Sequence, residues 1–348
     1  MTVKEILNII NNLDDHSVFT QTLTPNDINY DNTSPSLQEN LMRLVLKLNI
    51  RLNCKQNMTI EDFTIANGSG ISFDGSKVRI EISDDGDIGW TDDDYAVLFD
   101  VINNDPRITT LKIHDHYMNN QTFRLLTHMM TFNTNIKKLS IKGIIYDYKH
   151  HGHPFDNSLL DNVITMLHKN KTLTSFSFSF EFSMKFSPTA INDFYKKLNF
   201  TNSVLTHLDL SDNNINNEQA LYIAYALEHN TSIVDINLSF NDINGPEALS
   251  GLVRVLNKTN IIFVNLDHNR IDDHGIRILM DGLKSNKHVK RISLWQCNKY
   301  TDQALQYIIN MLCHNTIIED INMGEMNTTF NEILVENIRL LLSRNSQS

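Results

Sequence analysis

Three groups of side chains in this 348-residue chain could do chemistry. His150, His151 and His153 fall within four positions, with Asp147 and Asp156 beside them, and His114 and His116 bracket Asp115. Imidazole and carboxylate are zinc ligands. The two clusters could therefore hold a metal if a fold brought them to one rim. The alternative is a solvated loop around 150 and structural roles for Asp115 and His116. Cys54, Cys297 and Cys313 lie far apart, without the paired spacing of a disulfide framework or a metal site. They are followed two residues later by Gln56, Lys299 and Asn315, so no Cys-x-Asp element occurs. Neither a G-x-S-x-G elbow nor a phosphate loop is present. These residues predict neither an enzyme nor a bound cofactor.

The elements that would position such residues are set by a repeat. Leu205-Thr206-His207-Leu208-Asp209-Leu210-Ser211-Asp212-Asn213-Asn214-Ile215 is spelled again from Ile233, Ile261 and Val289, and loosely from Ile318. These starts are separated by 28, 28, 28 and 29 residues. Weaker copies begin at Leu173, Ile136 and Ile108, so eight strands are expected, with insertions of about four and nine residues in two of the repeats. A period in this range holding L-x-x-L-x-L-x-x-N/C-x-L means stacked strand-plus-helix units. The helices show in apolar spacing of 3.6, as in Ala220, Leu221, Ile223, Ala224 and Leu227. Pro246 follows Gly245 at a helix start, where a missing N–H costs nothing. Asn230, Asn257, Asn260, Asn286 and Asn315 stand where helices should end, and are expected to take the left-handed conformation there. Asn213, Asn241 and Asn269 are expected to form a ladder, their amides satisfying buried backbone groups. Cys297 is read as the apolar substitute in that series, a core residue.

The expected fold class is α/β: a leucine-rich repeat solenoid, or horseshoe, with a parallel concave sheet, convex helices and a helical N-terminal cap. The motifs L-T-H-L-D-L-S-D-N-N-I, I-V-D-I-N-L-S-F-N-D-I and I-I-F-V-N-L-D-H-N-R-I resemble the ribonuclease-inhibitor-like leucine-rich repeat class, strongly over 205–300 and more weakly over 108–342. His116, Ile144 and Glu181 replace the motif Asn upstream.

Four segments are expected. Residues 1–57 form a helical cap or docking segment, 58–107 entry strands and a first helix, 108–325 the repeats, and 326–348 a capping helix with a polar tail from Ser343. In the first segment, Leu37 to Asn53 is amphipathic, and Arg43, Lys47, Arg51 and Lys55 form a basic stripe. It reads either as a solvated capping helix or as a docking helix for an acidic partner or membrane surface. Trp90 to Ile102 is expected to be the first convex helix, capped by Thr91.

Strand alternation turns the positions between apolar anchors into the hollow. They run from lysines (Lys112, Lys138, Lys142) through serines to a carboxylate-rich end, where His207, Asp209, Asp235, Asp267 and Arg291 stand. Trp295 and Phe263 should face the hollow, with Phe180 and Phe240 at strand ends. Aromatics amid polar residues have the composition of an interface hot spot, and the alternative for each ring is packing against a neighbour.

Net charge is −11, which disfavours nucleic acid. No apolar run approaches the ~18 residues of a membrane span, and the start lacks a basic leader followed by an apolar stretch. The function these features imply is a non-enzymatic, monomeric, cytoplasmic module that binds a partner protein on its concave face. A second reading is an adaptor in which 1–57 docks one protein and the repeats select another, as in a ubiquitin-ligase assembly; a third, ranked last, is metal-dependent activity at the His-rich rim. Heavy use of Asn, Ile, Thr and Lys reads as AT-rich coding. With the Ser-rich tail, the chain resembles leucine-rich repeat effectors that intracellular bacteria of the Legionella type deliver into host cells. That resemblance implies a bacterial origin, export by a non-classical route, a host cytosolic destination and a host protein as partner.

Overall fold

The computed structural model describes residues 62–67, 70–74, 77–82, 92–114, 118–143, 156–179, 186–200, 204–297, 300–324 and 330–347. The helical cap expected over 1–57 lies outside them, as do Thr91, Phe180, and the His150–His153 and Asp115–His116 clusters. Two compact units divide the chain near Asn162.

The first unit has five strands in the order β5-β4-β1-β3-β2: β1 (Asp62–Asn67), β2 (Gly70–Asp74), β3 (Lys77–Ile82), β4 (Thr110–His114) and β5 (Lys138–Lys142). Strands β1, β2 and β3 lie within the segment 58–107, where entry strands and a first helix are expected. Strand β1 lies parallel to both β3 and β4, and β2 returns antiparallel along β3 at the edge. Helices α1 (Asp92–Asn104) and α2 (Asn120–Phe132) bury Val97, Leu98, Phe99, Phe123, Leu126 and Met130. Asn119 caps α2 by accepting Thr122 N–H at 2.8 Å, and its own amide donates to Asp92 Oδ1 at the start of α1.

Helix α3 (Ser158–Lys169) leads into the second unit, an α/β leucine-rich-repeat solenoid. Its six strands run β6 (Ser175–Phe178), β7 (His207–Asp209), β8 (Asp235–Asn237), β9 (Phe263–Asn265), β10 (Arg291–Ser293) and β11 (Asp320–Asn322). Each pairs in parallel with the next. Between them lie α4 (Pro188–Lys197), α5 (Asn217–Leu227), α6 (Pro246–Lys258), α7 (Asp273–Leu283) and α8 (Asp302–Leu312), with α9 (Glu332–Ser346) last. All eight strands expected from the repeat are present. The middle residue of each three-residue strand points to the helices: Leu208, Ile236, Val264, Ile292 and Ile321 are buried in line. The helices return one apolar stripe each, for example Ala248, Leu249, Leu252, Val255 and Leu256 from α6. Gly282 lets α7 approach α6, since a Cβ there would collide with Val253.

Three sets of side-chain hydrogen bonds close the turns that this stacking buries. The first follows the strands. Asn241 Oδ1 accepts the N–H groups of Asn213 and Ile215 at 3.1 and 2.8 Å, and its Nδ2 donates to the carbonyls of Leu210, Leu238 and Ser239. Asn269 repeats this with Ile243 N–H and the carbonyls of Leu238 and Leu266. Cys297 repeats it more weakly: Sγ donates to Leu266 O at 3.1 Å and accepts from the backbone N–H groups of Asn269 and Ile271.

The second set corrects the expectation for the helix ends. Asn230, Asn286 and Asn315 are buried, and none has a positive φ. Each accepts two backbone N–H groups that lead into the next strand: Ser232 and Ile233, His288 and Val289, Ile317 and Ile318. Each Nδ2 reaches back one repeat, to Phe200 O, Leu256 O and Leu283 O. Asn serves here because it accepts and donates at once, rather than because it tolerates the left-handed region. Asn257 and Asn260 are exposed, and buried Thr259 fills the place in that repeat, its hydroxyl donating to Val255 O.

The third set links helix starts. Asn217 Oδ1 accepts the N–H of Gly245 at 2.7 Å, Asp273 that of Thr301 at 2.7 Å, and Asp302 that of Asn331 at 2.9 Å.

The tail expected from Ser343 is instead helix through Ser346. Asn345 is buried and donates to Asn315 O and Ile318 O, and Arg344 donates to Leu312 O at 2.7 Å. The end of α9 thus supplies the last member of the second Asn set. Polarity misleads at this point because the buried partners are carbonyls.

Removing one ladder amide should leave several buried backbone groups without partners, each costing about 1–3 kcal/mol. Asn241→Ala is expected to lower unfolding free energy by about 2–4 kcal/mol in urea titration. A loss under about 0.5 kcal/mol would show that the turn does not need the amide.

Candidate partner-binding surface

The strand register of the second unit sets out the residues facing away from the helices in rows. The first row is Ser175, His207, Asp235, Phe263, Arg291 and Asp320. Asp209 stands two residues further on, beside Asn237. Of the expected site residues, His207, Asp209, Asp235, Phe263, Asp267, Arg291, Trp295 and Phe240 all belong to this unit. Lys112, Lys138 and Lys142 belong to the first unit, on the paired strands β4 and β5, where Lys112 lies opposite Ser140 and Lys142 opposite His114. His114 Nε2 meets Ser140 Oγ at 2.8 Å.

Several of the expected binding side chains also hold the backbone. Asp209 Oδ1 accepts Ser211 N–H at 3.0 Å, a turn that Asn237 and Asn265 repeat toward Ser239 and Asp267. Ser293 occupies that place on β10 and is too short for it. Asp267 takes over from the neighbouring repeat, accepting Ser293 Oγ at 2.6 Å and Trp295 N–H at 2.7 Å.

Trp295 lies past the end of β10, in the turn, and 41% of it is exposed. Its ring occupies the space over Gly324, where a Cβ would overlap the indole. Gly324 has φ +76, so it is suited to glycine on both counts. Trp295 is joined by a residue that the strand pattern did not single out. His268 stacks on Phe240 at 3.9 Å between ring centroids, with planes 13° apart, and meets Trp295 edge-on at 5.1 Å. Phe240, His268 and Trp295 form a rail along the strand ends, and Phe240 is 51% exposed.

Both Phe240 and His268 have positive φ, at 54° and 53°. So do Asp212 and Gln296, each immediately before the Asn or Cys of the first ladder. The position therefore recurs every 28 residues, and that spacing was the available signal for His268. Left-handed backbone in a non-glycine residue costs roughly 1–2 kcal/mol. At Phe240 that conformation aims an apolar ring toward water.

Phe263 is half-buried, with the Arg291 guanidinium 5.0 Å above its ring, a cation–π contact. Asp235 stands on its other side. Burial pushes the Asp235 carboxyl above its ordinary value, Asp209 pushes the same way, and His207 and Arg291 pull it back. Burial pushes the Cys297 thiol up to about 12, which keeps it protonated at neutral pH. Among the described residues, no group of three or more His, Cys, Asp or Glu is placed to hold a metal ion. Among them too, no helix is long and apolar enough to cross a membrane.

No family model and no curated protein matches the chain. Solved structures do resemble it. Actin-binding site 2 of leiomodin-1 is 18% identical, covering 51% of this chain and 83% of that one at a TM-score of 0.31. The C-terminal domain of Caenorhabditis elegans tropomodulin is 11% identical, covering 47% and 95% at 0.37. A Bacteroides fragilis protein is 11% identical, covering 68% and 72% at 0.40.

A raised carboxyl pKa in the folded state means that folding favours the protonated form. The stability this adds is present below the ordinary aspartate value and lost as pH rises through the raised one. Asp235→Asn should therefore be more stable than the parent at neutral pH, and the difference should vanish below the ordinary carboxylate range. Urea midpoints across pH measure this, and a variant less stable at pH 7 would contradict it.

Proposed function

We propose that the chain is a non-enzymatic binding module, and that the strand side of its second unit captures one partner protein, the module itself acting as a monomer. The observation that carries this reading is the aromatic rail. Trp295 is exposed while its backbone is pinned by Asp267 and its ring lies over Gly324. Phe240 is exposed from a backbone conformation that side chains rarely adopt. Rigid, half-exposed aromatics lose little entropy on binding and dominate interface energetics. Around them stand Phe263, Arg291, His207 and the carboxylates of Asp209, Asp235 and Asp267, a polar surround of the kind that steers and orients a partner.

We propose further that the partner is a host-cell protein and the chain an effector of an intracellular bacterium. Support for that finer reading is the sequence resemblance described above.

Trp295→Ala with Phe240→Ala should weaken binding by about 2–4 kcal/mol while melting shifts little. Capture from host-cell lysate with parent and double variant, compared by quantitative mass spectrometry, identifies the protein whose recovery depends on the rings. Titration calorimetry with that protein then measures the loss. Equal recovery of every captured protein by both chains would overturn the reading.

A further inference from the structure

The strand side of the second unit is acidic in a particular way. Four carboxylates, Asp209, Asp235, Asp267 and Asp320, stand on it against one guanidinium, Arg291, among the described residues. Two of the four are occupied. Asp209 accepts Ser177 Oγ and Ser211 N–H, and Asp267 accepts Ser293 Oγ and Trp295 N–H. Arg291 is engaged with the Phe263 ring. The carboxylates of Asp235 and Asp320 have neither a hydrogen bond nor an ion pair within 4.0 Å among the described residues, though the charges of His207 and Arg291 act on Asp235 from further off. Asp235 is half-buried, and the burial that raises its pKa is a standing cost that an incoming cation would relieve.

We propose that this face recognises a basic segment of the partner protein, an extended stretch whose arginine or lysine side chains pair with Asp235 and Asp320, on the row that lies four residues before Trp295. The inference rests on the proposed binding function and adds the chemistry of the partner. Asp235 and Asp320 share one register row, three strands apart, which is about 14 Å at ~4.8 Å per strand. An extended segment covers that distance in about four residues, at ~3.4 Å each, and side chains four apart point the same way. The exposed faces of Trp295 and Phe240 favour a cation within reach of their rings. A net charge of −11 draws a basic segment toward the molecule before contact.

The test uses the full chain with Trp90→Phe, which leaves Trp295 as its only tryptophan. Octa-arginine and octa-glutamate peptides are titrated while Trp295 emission is followed. Three chains are compared: this parent, the parent with Asp235→Asn and Asp320→Asn, and a control with Glu247→Gln and Glu332→Gln, which removes the same charge from helices α6 and α9. Octa-arginine should change Trp295 emission and saturate, and octa-glutamate should not. The Asp235/Asp320 variant should bind octa-arginine at least about tenfold more weakly, and the helix control within about twofold of the parent. No response of Trp295, equal affinity of the Asp235/Asp320 variant, or equal weakening in the control would each overturn the proposal. Its failure is separable from that of the binding reading. If the ring-less variant loses the captured partner while the Asp235/Asp320 variant retains it at the parent's affinity, the module stands and the basic segment is wrong.

Discussion

Burying a backbone turn without orphaning its polar groups is the constraint on which the second unit depends. From β7 to β11 the chain leaves a three-residue strand every 28 or 29 residues, crosses to a helix and returns, and both crossings carry buried residues. A buried N–H or carbonyl without a partner costs more than most contacts return. Asparagine answers at both crossings because one side chain carries an acceptor and two donors. Asn241 and Asn269 close the strand-to-helix turns, and Asn230, Asn286, Asn315 and Asn345 the helix-to-strand turns. Since each amide reaches into a neighbouring repeat, the same bonds that satisfy one turn fix the spacing to the next.

That arrangement leaves the strand side free to vary. The apolar anchors and the amides are all committed to the interior, and the register then delivers the intervening side chains in straight rows. Even there, part of the polarity is structural. Asp209 and Asp267 shape turns before they can meet any partner, and the second does so because Ser293 is too short for its place. Fewer residues hold no backbone group: the rings of Phe240 and Trp295, which touch His268 and Gly324 and stay partly exposed, and the carboxylates of Asp235 and Asp320. A left-handed phenylalanine and a half-buried, unpaired carboxylate both work against stability. Their presence on one face is the support for the proposed binding function.

The period, the strand positions and the roles of Asn241 and Asn269 were legible in the sequence because they are local and repeated. Cys297 was read as core for the same reason. The helix-end asparagines were visible, but their mechanism was not: a left-handed cap and a side-chain clamp need the same residue, and only the φ values and the bonds distinguish them. Asn345 was hidden because its partners are carbonyls of Asn315 and Ile318, distant in sequence. The placement of β1 between β3 and β4 leaves no trace in alternation, which marks a strand without naming its neighbours. His268 stands in the turn, where strand alternation carries no mark; only its 28-residue spacing from Phe240 identifies the position.

Hydrogen exchange at the Ile215 and Ile243 amides tests the central claim most directly. Each is bonded to a side-chain amide of the adjacent repeat rather than to strand backbone. If the asparagine ladder holds the stack, both should exchange as slowly as the buried strands of the unit, through opening of the unit as a whole. Exchange at the rate of an open surface loop, with the strands still protected, would show that the turns stay closed without the ladder.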